Sequence, residues 1–216
     1  AFLPYSSVAH SHADAIVALT NTEEAQDILR EVYGDRIATV EYIRPGFILS
    51  KKVGIALRDN PDIEGVVLMN HGLFTWGGTT KEAYDRHINL VTQAETYTNR
   101  KTGPRKSFQP VKADLLDADH RRNLAAAIAP TLRGLVSRKQ TMILRFDDAS
   151  DILTFVNSED AKHLSQIGPA TPDHLIQTKR TPLWIEPSDV MGAPHLLRQL
   201  QKEVDLYAKN YGEWYQ

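Results

Sequence analysis

The sequence predicts an α/β domain, and three observations carry that prediction. Short apolar runs rich in β-branched residues, at Ile37 to Val40 and Val66 to Met69, alternate with longer stretches whose apolar residues recur at helical spacing. Hydrophobic residues make up 42% and charged residues 24% of the chain, a balance that supports a packed core and argues against disorder. A length of 216 residues suits one ordinary domain, so residues 1–216 are read as a single domain.

The elements follow in order. Val8 to His12 reads as a short strand, and Ala13 to Leu19 continues as helix. Asn21 or Thr22 is expected to cap a second helix, with Glu23, Glu24 and Asp27 early in it, where negative charge suits the helix dipole, and Gly34 at its end. After the strand at Ile37 to Val40, residues Phe47 to Leu57 form an amphipathic helix closed by Asn60-Pro61. Val66 to Met69 and Leu73 to Trp76 are two core strands. Gly77-Gly78 then turns the chain into a long helix from Thr80 to Lys101, stopped by Gly103-Pro104. Residues 102–116 read as a connector, and Asp119 to Val136 as a helix kinked at Pro130. Met142 to Phe146 is expected to be a strand, Asp147 to Asn157 a turn into a short helix, and Ile167 to His174 an irregular loop. Pro182 to Ile185 reads as a final strand. A last helix from Ser188 to Tyr211 stops at Gly212 and is expected to lead, over residues 187–216, toward a domain missing from the chain.

Composition removes several function classes. A formal net charge of -2 gives no electrostatic reason to expect nucleic acid or anionic lipid as partner. The absence of cysteine excludes disulfides, thiolate metal sites and cysteine nucleophiles. No apolar stretch approaches the roughly 18 residues needed to cross a bilayer, so membrane roles fall away and a cytoplasmic location is the simplest expectation. There is no Gly-x-Gly-x-x-Gly run after a strand, no P-loop and no Gly-x-Ser-x-Gly elbow. The start at Ala1-Phe2-Leu3-Pro4-Tyr5 lacks methionine and is already apolar, so an N-terminally incomplete fragment is expected.

Chemistry is expected where Asn70-His71-Gly72 interrupts the central apolar run. Desolvating an imidazole and an amide without partners costs on the order of a few kcal/mol, so these groups need something to bind. His10 and His12 project from one face of their strand, roughly 6 to 7 Å apart at the backbone, and two such imidazoles can converge on one ion. With His71 they make a candidate three-nitrogen metal site with open positions, of the kind catalytic zinc uses. Three imidazoles also accept manganese, cobalt or iron. Asp14 is either an orienting partner for a ligand imidazole or a helix-capping residue. Gly72 permits close backbone approach beside the site, and Asn70 holds a loop or contacts substrate; both are also ordinary turn residues. His87, on the apolar stripe of its helix, reads as a hydrogen-bonded core histidine. His120, His163 and His195 receive no role. His174, in its Pro-rich loop, is a candidate fourth ligand or substrate contact. Lys51-Lys52, Arg121-Arg122 and Lys179-Arg180 read as solvated surface, with a substrate phosphate as the alternative.

His10-Ser11-His12-Ala13-Asp14-Ala15 and the Asn70-His71-Gly72-Leu73 turn, with Gly77 and the helix after it, resemble the class II aldolase/adducin family over residues 1 to about 100. Met142 to Asp148, Gly168 to His174 and Thr178-Lys179-Arg180 resemble a narrower group, the bifunctional rhamnulose-1-phosphate aldolase/alcohol dehydrogenase proteins. The resemblance implies a three-layer α/β/α domain with a central, largely antiparallel sheet, and a homo-oligomer, a tetramer in most members. It implies His10, His12 and His71 as zinc ligands. In the family, zinc grips the carbonyl and adjacent hydroxyl of a ketose phosphate and stabilises the enediolate left when the carbon–carbon bond breaks. The implied reaction is cleavage of rhamnulose 1-phosphate to dihydroxyacetone phosphate and lactaldehyde. Two departures stand out. The family's acid/base glutamate and its phosphate-holding loops precede the His-x-His motif, so Glu23, Glu24, Glu41 and Glu64, which all follow it, do not inherit that role. The fused short-chain dehydrogenase half is absent from this chain. Rival readings are a zinc-dependent epimerase, dehydratase or decarboxylase of the same family, and a noncatalytic adducin-like interaction module.

Overall fold

The computed structural model describes residues 2–103, 108, 116–186 and 193–216. Contacts group the chain into two compact units, Ala1–Arg105 with Pro169–Arg180 and Lys106–Gly168 with Thr181–Gln216.

The first unit carries a four-stranded sheet in the order β1-β4-β3-β2, formed by β1 (Ser7–Ser11), β2 (Ile37–Val40), β3 (Gly65–Leu68) and β4 (Gly72–Gly77). β4 is antiparallel to both β1 and β3 while β2 runs parallel to β3, so the sheet is largely antiparallel. Every residue of β3 is buried because helices cover both faces. On one face Val67 and Leu73 pack with residues of α1 (Asp14–Thr20), α2 (Ala25–Tyr33) and α4 (Thr80–Thr102), among them Ile16, Leu29 and Leu90. On the other, Val66, Leu68 and Trp76 meet Leu49, Val53 and Leu57 of α3 (Phe47–Asp59). This is the three-layer α/β/α arrangement, and each fully buried aliphatic side chain in it contributes about 1.5–3 kcal/mol.

Local chemistry sets the helix ends. Thr79 Oγ1 accepts from the Glu82 N–H at 3.1 Å, and Glu82 reaches back to the Gly78 N–H at 2.9 Å, fixing the start of α4. The second helix begins at Ala25 rather than at an Asn21 or Thr22 cap. Those two side chains donate backward instead, to Val17 O and Leu19 O at 2.8 Å each, and so satisfy the end of α1.

The second unit contains α5 (Ala118–Val136), α6 (Ser150–Val156), α7 (Ala161–Ile167) and α9 (Ala193–Tyr215), with α5 packed along α9. Asp117 Oδ1 caps α5 by accepting from His120 N at 2.8 Å, and Arg138 pairs with Asp205 of α9 at 2.6 Å. α5 runs through Pro130 as one helix.

Four expectations are corrected. Neither Met142 to Phe146 nor Pro182 to Ile185 is a strand, because no neighbouring strand pairs with either among the described residues; Ile143 is 92% exposed. The Gly- and Pro-rich segment contains a short helix, α8 (Pro172–Gln177), begun by a proline, whose fixed φ suits a first helical turn. α9 passes through Gly212 and ends at Tyr215. The start of that last helix expected at Ser188, and residues 104–107 and 109–115 of the connector, lie outside the described residues. No helix among the described residues is long and apolar enough to cross a membrane.

Candidate functional site

Strand alternation and a tight turn bring the three predicted imidazoles together. In the β1–β4 pair His10 lies opposite Phe74 and Ser11 opposite Leu73, so His10 and His12 share one face while Ser11 takes the other. His71 arrives through the three-residue connection between β3 and β4, where Leu68 pairs with Gly72 and the His71 N–H bonds to Leu68 O at 3.2 Å. One ring nitrogen from each of His10, His12 and His71 lies within 4.8 Å of the others. His10 is exposed, His12 half-buried and His71 only 4% exposed, so the cluster opens on one side.

Hydrogen bonding decides which nitrogen His10 offers. Its Nδ1 is 2.9 Å from Leu73 O, and a carbonyl only accepts, so Nδ1 carries the proton and the Nε2 lone pair faces the cluster. The ring also stacks on Phe74 at 4.0 Å between centroids and 9° between planes. His10 Nε2 and His12 Nε2 are 3.1 Å apart. Bonds of about 2.0 to 2.1 Å at tetrahedral angles separate two nitrogens by about 3.3 Å, so the donor set and its spacing fit a divalent ion.

The residues flanking His71 have clear structural tasks. Asn70 is the one non-glycine residue with positive φ (55°) among the described residues, a conformation asparagine tolerates better than most. Its Nδ2 donates to Thr20 O and Asn21 Oδ1, both at 3.0 Å, tying the turn to the end of α1. At Gly72 a Cβ would stand 2.3 Å from Ser11 O and 3.1 Å from His12 Cδ2, so the close approach expected from the sequence is present and β4 could not otherwise lie against β1. A cavity of about 350 Å³ beside this turn is lined by Thr20, Asn21, Met69 and Asn70 together with acidic residues including Glu41.

Other candidates stand apart from the cluster. Asp14 is exposed in the first turn of α1, where its charge suits the helix dipole. His174 is exposed in α8, its Nδ1 at 3.2 Å from Thr171 Oγ1, and is not part of the three-histidine group. Among the described residues no carboxylate joins that group either. Arg121 pairs with Asp148 at 3.0 Å, and Lys51 lines an apolar cavity of about 510 Å³ against α3 that none of the three histidines reaches. His87 is 7% exposed and hydrogen-bonded through both ring nitrogens, the core histidine that its stripe position predicts. Burial, and secondarily the charge of His10, push its pKa below the usual histidine value. The hydroxyls of Ser11 and Thr75 that hold it gave no signal in the sequence.

Residues 1–98 match the model of the class II aldolase and adducin N-terminal domain, and residues 123–216 match that of the aldolase class II second domain. Over all 216 residues the chain is 40% identical to the uncharacterized oxidoreductase YuxG of Bacillus subtilis (strain 168), and it spans 31% of that protein's length. The N-terminal class II aldolase domain of a conserved protein from Thermoplasma acidophilum is 48% identical over 45% of this chain and 44% of that one, with a TM-score of 0.41. A sugar-phosphate aldolase from Thermotoga maritima is 24% identical over 46% and 47% of the two chains, with a TM-score of 0.37.

Proposed function

The chain belongs to the class II aldolase and adducin family, and from that membership we propose its function. It is the ion-binding domain of a metal-dependent aldolase that cleaves a ketose 1-phosphate, specifically rhamnulose 1-phosphate, to dihydroxyacetone phosphate and an aldehyde. The observation that carries this reading is the convergence of His10, His12 and His71 on one point with their ring nitrogens within 4.8 Å. Zinc is the resident ion on this reading, and when bound it supplies Lewis-acid stabilisation of negative charge on substrate oxygens.

The chain's own residues do the positioning. Leu73 O holds the His10 tautomer, Phe74 fixes its ring plane, and Gly72 lets His12 and His71 share a narrow space. The exposed side, at His10, is where substrate oxygens enter. With no carboxylate in the cluster among the described residues, the work assigned to these histidines is holding the ion and the substrate, not moving protons. The choice of rhamnulose 1-phosphate rests on the resemblance at Met142 to Asp148, Gly168 to His174 and Thr178-Lys179-Arg180. It is supported by a relative that is named an oxidoreductase and of which this chain matches only 31%, as expected if an aldolase domain is joined to a dehydrogenase. A cytoplasmic homotetramer completes the reading.

Metal analysis of the purified protein tests it first. Stoichiometric zinc that is lost on changing His10, His12 or His71 to alanine is expected. Absence of bound metal, with thermal stability unchanged by a chelator, would favour the noncatalytic module instead. Release of dihydroxyacetone phosphate from rhamnulose 1-phosphate by the full-length protein is the second expectation. An epimerised, dehydrated or decarboxylated product would replace the aldolase assignment with one of the other enzyme readings.

A further inference from the structure

We infer that His87 is a positioning residue for the histidine cluster, acting through Ser11 to hold β1 in place between His10 and His12. The inference rests on the reading of the three imidazoles as a metal site, and it concerns residues that touch neither ion nor substrate.

The geometry leaves one arrangement of protons. His87 Nε2 is 2.6 Å from Ser11 Oγ, and its Nδ1 is 3.1 Å from Thr75 Oγ1. Thr75 Oγ1 lies 2.9 Å from Ala83 O. The Ala83 carbonyl can only accept, so the single hydroxyl proton of Thr75 goes there. Thr75 Oγ1 must then accept from His87 Nδ1–H. A neutral ring protonated at Nδ1 carries its lone pair on Nε2, which accepts the Ser11 O–H. Every hydrogen bond in the chain Ser11, His87, Thr75, Ala83 is thereby directional, and it ends on a backbone carbonyl inside α4.

Placement gives the chain its task. Ser11 sits between His10 and His12 in sequence, and alternation along β1 turns its side chain to the opposite face, toward α4. Thr75 is fully buried and His87 nearly so, which makes partial satisfaction costly and complete satisfaction rigid. The same residue is fixed a second time, because Ser11 O is the atom against which Gly72 packs. Ser11 is therefore pinned by its side chain to α4 and by its backbone to β4. The two imidazoles flanking it inherit that rigidity, as metal-binding side chains do from the groups that support them.

A zinc competition titration against a chromophoric chelator, run on the whole chain, tests the inference with four variants. Ser11→Ala removes the link outright. His87→Asn keeps a donor near the Nδ1 position but cannot reach Ser11, whereas His87→Gln places an acceptor near the Nε2 position and restores the reach. Thr75→Val leaves Nδ1–H without its acceptor. Ser11→Ala, His87→Asn and Thr75→Val are expected to weaken zinc binding by about 10-fold or more, with His87→Gln close to wild type. The d–d absorption of the cobalt-substituted protein is expected to change in Ser11→Ala and to be retained in His87→Gln, a signature that loss of fold stability alone would not produce. Zinc affinities and cobalt spectra equal to wild type in Ser11→Ala and His87→Asn would overturn the inference while leaving the metal site intact. A wild-type chain that binds no zinc would instead bring down the metal reading itself. Metal-free unfolding curves identify any variant that fails to fold, and Ser11→Ala, an exchange of hydroxyl for hydrogen, keeps the test decisive.

Discussion

Replacing Gly72 by alanine places a methyl group 2.3 Å from Ser11 O, where ordinary contact is 3.4–4 Å. The obstructing atom is backbone, so no side-chain rotation relieves the clash, and β1 must move away from β4 by about 1 Å in a region packed without slack. Overpacking of this kind costs about 1–3 kcal/mol. The opening falls where Ser11 pairs with Leu73, the residue whose carbonyl holds His10 Nδ1, and the methyl also meets His12 Cδ2 at 3.1 Å. Two of the three imidazoles are thus displaced by one substitution, and zinc affinity is expected to fall by more than about 10-fold. Gly134, inside α5 with no atom within 4 Å of its added Cβ, is the control. Gly134→Ala is expected to stabilise its helix by about 0.5–1 kcal/mol and to leave zinc binding unchanged. Urea unfolding of metal-free protein and competition titration with zinc read the two effects separately. A Gly72→Ala protein with wild-type midpoint and wild-type zinc affinity would refute the argument from close approach.

Two further outcomes follow from the same turn and the helix behind it. Asn70→Gly keeps the positive φ but loses the bonds to Thr20 O and Asn21, whereas Asn70→Ala loses those bonds and adds backbone strain. Stability in urea is therefore expected to rank wild type, then Gly, then Ala, with about 1 kcal/mol between the two variants. His87 supplies the pH dependence. Its pKa is lowered in the folded chain by burial and then by His10, so the unfolded chain binds the proton more readily. The stability this group contributes is present above the ordinary histidine pKa and is lost as pH falls below it toward the depressed folded value. Urea midpoints of metal-free protein measured downward from neutral pH are expected to fall more steeply for wild type than for His87→Gln, and equal slopes would contradict the burial argument.

What could be read from the sequence was whatever depends on neighbours along the chain. α4 was legible because the Gly77-Gly78 turn and Gly103-Pro104 bracket it, and β3 because an unbroken apolar run needs both faces covered. The misread segments turned on partners that sequence does not show. Met142 to Phe146 has strand composition, yet strand propensity expresses a fit to a pleated, half-buried surface, and among the described residues no strand pairs with that segment. Asn21 and Thr22 have capping side chains, but two helix ends compete for them, and the terminus of α1 is the nearer.

The site divides along the same line. His10 and His12 announce themselves by a period of two, and His71 by breaking an apolar run, so the three could be named before any fold was known. What the sequence could not supply is the antiparallel pairing of β1 with β4, which lays residues 7–11 against residues 73–77 and makes the imidazoles neighbours. That pairing also explains why Ser11 and Thr75 were invisible: each is an unremarkable hydroxyl on its own strand, and only α4 packed across both strands joins them through His87. A cluster whose ligands come from two separate segments needs its strands locked in register, since a slip of one residue would turn His10 and His12 to the opposite face and Ser11 toward the cluster. The hydrogen-bonded chain behind β1 and the missing side chain at Gly72 are two locks against that slip, one polar and one steric, and both act on Ser11.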